Sequence, residues 1–480
     1  MDMVFEALWR HAAERPQTVA FSGDGDNLTW ADLAAEVTAL AARLNGAPRT
    51  VGIALPGGCA YVVADLALTL TGRRQVPLPF FFAPKQIAHV IKDAGIGALI
   101  TAPETAGQSG LPEIPLSLGH ADATAPAVPT STAAQAERVI YTSGSSGRPK
   151  GVVIGSSQLQ ASLNALLPVV SPTHTDRHLS ILPMAQLLEQ ICGIFLPILA
   201  GAETRFDFNA TRALFGADIA PLTAAFARER PTTSLLAPAL LGRWVQDLSS
   251  KDGGAPNSLR FVAVGGAASS PALLRAAEAL GIPAHEGYGL SECCAVVAMN
   301  RPGHNAIGTV GEVLEGLDVQ IIDGEITVAG PTVMTGYLNG DPPPGRWHTG
   351  DLGRIENGRL IVDGRKDALI VTGAGRNISP EWVEQRINAD PRVVSSALGL
   401  HEDGSLVLVV AAAAPVSGAE IAAALGGIPP YARPAAVVLT SPAEPGLLFA
   451  AGTPNRAVAA RIINDRPAQP LSQTAESLAS

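Results

Sequence analysis

The chain has 480 residues, 47% of them hydrophobic and 16% charged, a balance that suits a packed protein with room for two or more domains and excludes an intrinsically disordered one. A formal net charge of −10 argues against nucleic acid as a main partner, because phosphate contacts need clustered Lys and Arg. The four cysteines, Cys59, Cys192, Cys293 and Cys294, have spacings that suit neither zinc nor a disulfide framework and read as free thiols in a reducing cytoplasm.

In chain order, the N-terminal Met-Asp-Met-Val-Phe-Glu-Ala carries an early acid and no basic region, so no signal peptide is expected. Residues 18–22 read as a strand. Thr29 to Leu44 has helical periodicity, with Thr29 placed as N-cap and Asp32 placed for a capping box. Val51 to Leu55 reads as a buried strand, and residues 103–136, rich in Pro, Ala, Thr and Ser, as a surface connection. Arg138 to Tyr141 and Gly151 to Ile154 read as two strands joined by a Ser/Gly loop. The apolar run Ile191 to Ala202 contains Pro197 and is too short to cross a bilayer. Leu259 to Val264 is a short apolar strand ending in Gly265-Gly266. From 307 to 371 strands and turns dominate, with hairpin signals at Asp323-Gly, Asn339-Gly, Asn357-Gly and Asp363-Gly. Beyond 367 come a helix over Glu381 to Asn388 and a strand over Ser405 to Ala411. Residues from about 465 are polar and small and read as a disordered tail. The alternation of strands and helices is that of an α/β protein.

Three stretches carry chemistry. In Tyr141-Thr-Ser-Gly-Ser-Ser-Gly-Arg-Pro-Lys-Gly151, hydroxyls of Thr142, Ser143, Ser145 and Ser146 offer donors to a polyanion. Gly144 and Gly147 let backbone N–H groups approach it, and Lys150 adds a mobile positive charge. This is not the nucleotide P-loop, because Pro149 keeps Arg148 out of helical geometry; an ordinary Ser/Gly hairpin loop is the plain alternative. In Gly287-Tyr-Gly-Leu-Ser-Glu292, Tyr288 offers a ring face to a purine and Ser291 a donor to phosphate. Glu292 is a carboxylate that fits beside a triphosphate only with Mg²⁺ between them; a buried tyrosine at a turn is the alternative. In Trp347-His-Thr-Gly-Asp351, Asp351 can accept from both ribose hydroxyls or cap a turn.

The order of residues in the Ser/Gly loop resembles the phosphate loop of the adenylate-forming superfamily: acyl- and aryl-CoA synthetases, adenylation domains of peptide synthetases, and luciferases. The later motifs follow in that superfamily's order, with most likeness to long-chain fatty acyl-CoA synthetases. The resemblance implies a large N-terminal α/β adenylation domain with a β-rich end over 1–366 and a small mobile α+β domain over 367–464, before the tail over 465–480. It implies that Gly265, Gly266, Ala267, Gly287, Tyr288, Gly289 and Ser291 join the loop in holding ATP, with Thr142 and Glu292 on Mg²⁺. Asp351 takes the ribose, Arg365 the ribose and phosphate, and Lys366 with Asp367 forms the hinge. Gly373 and Gly375 enter the site for thioester formation, where glycines let backbone line a pantetheine tunnel. A plain loop into a helix, with Ser379 as N-cap and Pro380 first, reads equally well there. Leu182-Pro-Met-Ala-Gln-Leu-Leu-Glu-Gln190 resembles the substrate-side segment, with Gln186 where a His is usual and Leu187 and Gly265 in the pocket. Gln186 gives only a neutral contact to a carboxylate.

By the same resemblance, a fatty or other apolar acid is activated with MgATP and passed to a thiol, coenzyme A or a carrier-protein phosphopantetheine. Lys150, Glu292, Arg365 and Arg456 are the expected catalytic groups, in a cytoplasmic enzyme without nucleic-acid or transmembrane partners. The pattern breaks at the C-terminus. Thr453-Pro-Asn-Arg-Ala457 places Ala457 where the superfamily has its lysine. Either Arg456 substitutes for it, or adenylation is weak or lost and the protein is a nucleotide-binding homologue.

Overall fold

The structure, a computed structural model, describes all residues except 108, 120–131, 143–148, 344, 372–376, 391, 449–452 and 472–480. The helix Trp30–Arg43 begins where its sequence places it. Asp32 N–H donates to Thr29 Oγ1 (3.2 Å) and Thr29 N–H to Asp32 Oδ2 (3.0 Å), a complete capping box. Its apolar face joins the core shared with the largely buried helix Gly58–Leu70.

One seven-stranded sheet contains Thr50–Ala54, flanked in parallel by Arg74–Pro77 and Ala98–Thr101. Glu137–Thr142 and Lys150–Gly155 extend it as an antiparallel pair, with Thr142 directly opposite Lys150. The Ser/Gly loop between them, with Ser143, Gly144, Ser145, Ser146 and Gly147, lies outside the described residues. Within the 103–136 connection, Glu113–Pro115 adds a parallel edge strand beside Ala98–Thr101.

A thirteen-stranded sheet changes character along its width. From Val19–Gly23 through Glu203–Phe206, Arg177–Ser180, Thr233–Leu236 and Phe261–Val264 to Ala284–Tyr288 its strands are parallel. Thr233–Leu236 and Phe261–Val264 are buried along their whole length, as strands covered on both faces must be. Beyond Ala284–Tyr288 every pairing is antiparallel. Gly265-Gly266 and Tyr288 thus lie at carboxyl ends of parallel strands, where open α/β sheets bind ligands.

Two of the four hairpin signals hold. Asp323 (φ 51°) and Asn357 (φ 50°) take the left-handed conformation between paired strands. Asn339-Gly forms a turn after Gly336–Tyr337, a short strand that pairs with Lys150–Gly155, and joins no hairpin. Asp363-Gly lies inside the strand Arg359–Arg365; Gly364, at φ 137°, sits there beside Ser379 instead of turning the chain. The apolar run after Gln190 is π-helical over Ile191–Phe195, between the α-helical turns Leu187–Gln190 and Leu196–Ala200.

A smaller α/β unit follows the strand Arg359–Arg365. Its central strand Leu406–Ala412 sends Leu406, Leu408 and Val410 into one apolar cluster and Val407, Val409 and Ala411 into another. The helices Pro380–Ile387 and Gly418–Ala424 cover the first face and Arg456–Asp465 the second. The chain stays ordered past 465. Gln469–Pro470 pairs with Ala436–Thr440, and Leu471 packs into the first cluster. The tail expected from 465 is therefore structured through Leu471, because an open sheet edge accepts the strand; 472–480 lies outside the described residues. No described helix is long and apolar enough to cross a membrane.

Candidate functional site

Two close pairings assemble the site. On one side, Lys150 Nζ stands 5.5 Å from the ring centroid of Tyr337, whose hydroxyl donates to Glu292 Oε1 (2.8 Å). The pairing of Gly336–Tyr337 with Lys150–Gly155 makes this contact, and Met334 N–H donates to the Glu292 carbonyl (2.8 Å) to fix the turn over Ser291–Cys293. Burial and the neighbouring Glu292 carboxylate both push the Tyr337 phenol up, so it stays a donor. Sequence reasoning missed Tyr337, since its partners are distant in the chain and no local motif marks it.

On the other side, Tyr288 Oη donates to Asp351 Oδ2 (2.6 Å), and Arg365 Nη1 donates to Asp351 Oδ1 (3.2 Å). Asp351 and Arg365 face one another across antiparallel strands. Burial raises the Asp351 carboxyl, while the Tyr288 and Arg365 hydrogen bonds oppose the shift. Gly350 (φ 76°) leaves room for the guanidinium; a Cβ there would lie 3.3 Å from Arg365 Nη2. Arg365 also grips Asp367 through Nε and Nη2 (3.0 and 3.1 Å). Lys366 donates to Glu325 Oε2 (3.0 Å), and Glu325 accepts from Gly350 N–H (2.9 Å). Lys366 and Asp367, the pair expected to form a hinge, are thus both tied to the large sheet.

Beside Tyr288 opens a cavity of about 260 Å³. Gly265, Gly266, Gly287, Tyr288, Gly289, Ser291, Gln186 and Leu187, all singled out in the sequence, line it. Ala267 lies just beyond that lining. A Cβ on Gly289 would overlap the Ala295 carbonyl, so the glycine is needed for close approach of two backbone segments. The rest of the lining is aliphatic, aromatic or, at Cys192 and Met299, sulfur-bearing, and none of the described lining residues is charged. Glu286, before Gly287, accepts from Ser269 N–H (2.7 Å) and so braces the loop that follows Gly265-Gly266. Burial pushes its carboxyl up to about 7.

Arg456 sits elsewhere. It opens the helix Arg456–Asp465 and donates to Glu381 Oε1 (2.8 Å) and to both oxygens of Glu384 (2.8 and 3.1 Å). Ala457 is exposed. Ser379 occupies the N-cap position of Pro380–Ile387 with Pro380 first, but its hydroxyl donates to the Asp363 carbonyl and to Glu381 (both 2.9 Å) instead of accepting from the helix. Gly373 and Gly375 lie outside the described residues. Among the described residues no group of three or more His, Cys, Asp or Glu is gathered around a metal-sized space. A Mg²⁺ ion carried mainly by phosphate oxygens, with one or two protein ligands such as Glu292 and Thr142, is compatible with that donor set.

Known proteins align with this chain over most of its length. The profile of the AMP-binding enzyme family matches residues 8–338. An isonitrile lipopeptide synthase of Streptomyces coeruleorubidus is 30% identical over 440 residues, 83% of this chain, which spans only 29% of that protein's length. A probable CoA ligase of Humulus lupulus is 25% identical over 419 residues, covering 77% of this chain and 78% of the relative. Among solved structures, an anthranilate CoA ligase in complex with anthranoyl-AMP superposes with a TM-score of 0.83 at 19% identity, covering 96% of this chain and 97% of that one. O-succinylbenzoate CoA synthetase from Bacillus subtilis in complex with ATP and magnesium does so with a TM-score of 0.77 at 23% identity, covering 94% and 98%. At these identities the structural matches establish the fold.

Proposed function

Because the chain belongs to the AMP-binding enzyme family, we propose that it activates an apolar carboxylic acid with ATP and passes the acyl group to a thiol. One observation carries this reading. An uncharged cavity opens between Gly265-Gly266 and Gly287–Gly289, directly beside the Tyr288–Asp351–Arg365 cluster. An apolar tail in the cavity would bring its carboxylate to the nucleotide side.

Asp351 accepts the ribose hydroxyls, and Arg365 reaches the ribose and α-phosphate from across the strand pair. Lys150 meets the phosphates from the edge of the Ser/Gly loop, and Thr142 with Glu292 would hold Mg²⁺, which would offset charge on the adenylyl group being transferred. A carboxylate oxygen attacks the α-phosphorus, the bond to the bridging oxygen breaks, and pyrophosphate leaves with an acyl-adenylate formed. The small unit then turns about Lys366 and Asp367. The sulfur of a thiol, coenzyme A in the leading reading, attacks the acyl carbon, its proton is lost, and AMP leaves.

The C-terminal lysine is absent, and Arg456 is engaged by Glu381 and Glu384. That engagement favours a second reading, in which adenylation is weak or lost and the protein binds nucleotide without ligating. Acid-dependent ATP–pyrophosphate exchange decides between them. The expected outcome is slow exchange with aliphatic or aryl acids, a gain with Ala457→Lys, and a loss with Lys150→Ala larger than in a relative that keeps both lysines. ATP binding with no exchange for any acid in a broad panel would establish the second reading. Thiol-acceptor assays with coenzyme A and with a phosphopantetheinylated carrier protein identify the acceptor.

A further inference from the structure

Behind the large cavity lies a second one of about 30 Å³. Val170, Cys192, Leu196, Phe261 and Ala263 line both and so form the wall between them. Phe261 is the bulkiest member. It is 3% exposed, and its ring stacks on His285 with centroids 4.7 Å apart. Leu196, also 3% exposed, opens the helical turn after the π-helical segment, and half-buried Cys192 lies within that segment. A π turn inserts a residue into the helix and redirects the side chains around it.

The two sides of the wall differ in chemistry. Toward the large cavity the lining is apolar, while the small one includes Asp176, His178, Thr233 and Ser234. These polar groups have partners of their own: Asp176 with Arg260 and Thr232, His178 with Thr233, and Ser234 with the Leu179 carbonyl. A hydrocarbon end pushed among them would meet these hydrogen-bonded groups and the unpartnered Nε2 of His178, 3.5 Å from Glu189 Oε1, in a space of about two waters, and would gain little from leaving solvent.

We propose that Phe261, Leu196 and Cys192 are the specificity-determining wall that sets the length of the acid, ending an apolar tail whose carboxylate lies at the glycine-lined mouth. The inference rests on the acid-activating reading, and binding tests it separately from turnover. Affinities of straight-chain carboxylic acids of increasing length are measured by calorimetry on the full chain, in parallel with pyrophosphate exchange. Affinity is expected to rise about fourfold per methylene up to a break, then fall. Phe261→Ala, with Phe261→Leu as the milder companion that preserves the core, is expected to move the break to acids longer by about two methylenes, roughly a fifteenfold gain at the new length. Cys192→Phe is expected to move it shorter. A break at the same length in all folded variants, or no break in the unaltered protein, overturns the inference. A break that moves while no acid drives exchange supports the wall and overturns the ligase reading; exchange with an unmoved break does the reverse.

Discussion

Glu286 shows how one side chain couples the loop after Gly265-Gly266 to pH. Its carboxyl is 6% exposed, receives the Ser269 N–H, and is pushed up to about 7 by burial. A folded-state pKa above the unfolded one means the contribution to stability is full below the ordinary glutamate range and is lost as pH rises through about 7. Glu286→Gln keeps an acceptor for Ser269 and removes the titration. The variant is therefore expected to melt like the unaltered protein near pH 4.5 and to exceed it above pH 7, by about 3 kcal/mol. Melting curves across pH 4.5 to 8 check this; two curves that stay parallel would refute it. At this scale the sequence was informative wherever chemistry is encoded locally. Tyr288, Asp351 and Arg365 stand in short motifs, and the structure brings them into one cluster. Tyr337 and Glu286 were not legible, because their significance lies in partners supplied by other strands.

Among elements, Arg456 acquires a structural role. Arg456 ties the helix Arg456–Asp465 to Pro380–Ile387 through Glu381 and Glu384. Burial raises the Glu384 carboxyl and the Arg456 guanidinium opposes it, so removing the arginine strands a buried acid. Arg456→Ala is expected to destabilise the protein by about 2–3 kcal/mol in urea unfolding, with part regained in the double variant carrying Glu384→Gln. Ala457→Lys, at an exposed position, is expected to change stability by less than about 0.5 kcal/mol. A loss of exchange in Arg456→Ala must therefore be read against its unfolding curve. An Arg456→Ala protein as stable as the parent would contradict the bridging role.

For the molecule as a whole, the small unit meets the last strand of the large sheet at Gly364. A Cβ there would overlap Ser379 Oγ, and φ is 137°, a conformation that side chains rarely adopt. Gly364→Ala is expected to push the units apart, seen as faster proteolysis near Lys366–Asp367 and a larger radius of gyration in solution scattering. Ser379→Ala removes only hydrogen bonds, about 1 kcal/mol each, and is expected to leave both unchanged. Identical behaviour of the two variants would count against the contact.

The sequence alone determined the class of fold and the order of the motifs, because both are written in residue type and spacing along the chain. Turn chemistry was half decided there. Asp323-Gly and Asn357-Gly turn because the flanking strands pair with each other, whereas Asp363-Gly runs on as a strand because Ser379 packs against it. Only the tertiary structure decided the wall behind the cavity, the Lys150–Tyr337–Glu292 alignment and the engagement of Arg456. All three arise from strands and helices remote in sequence, packed by apolar burial that no local pattern specifies.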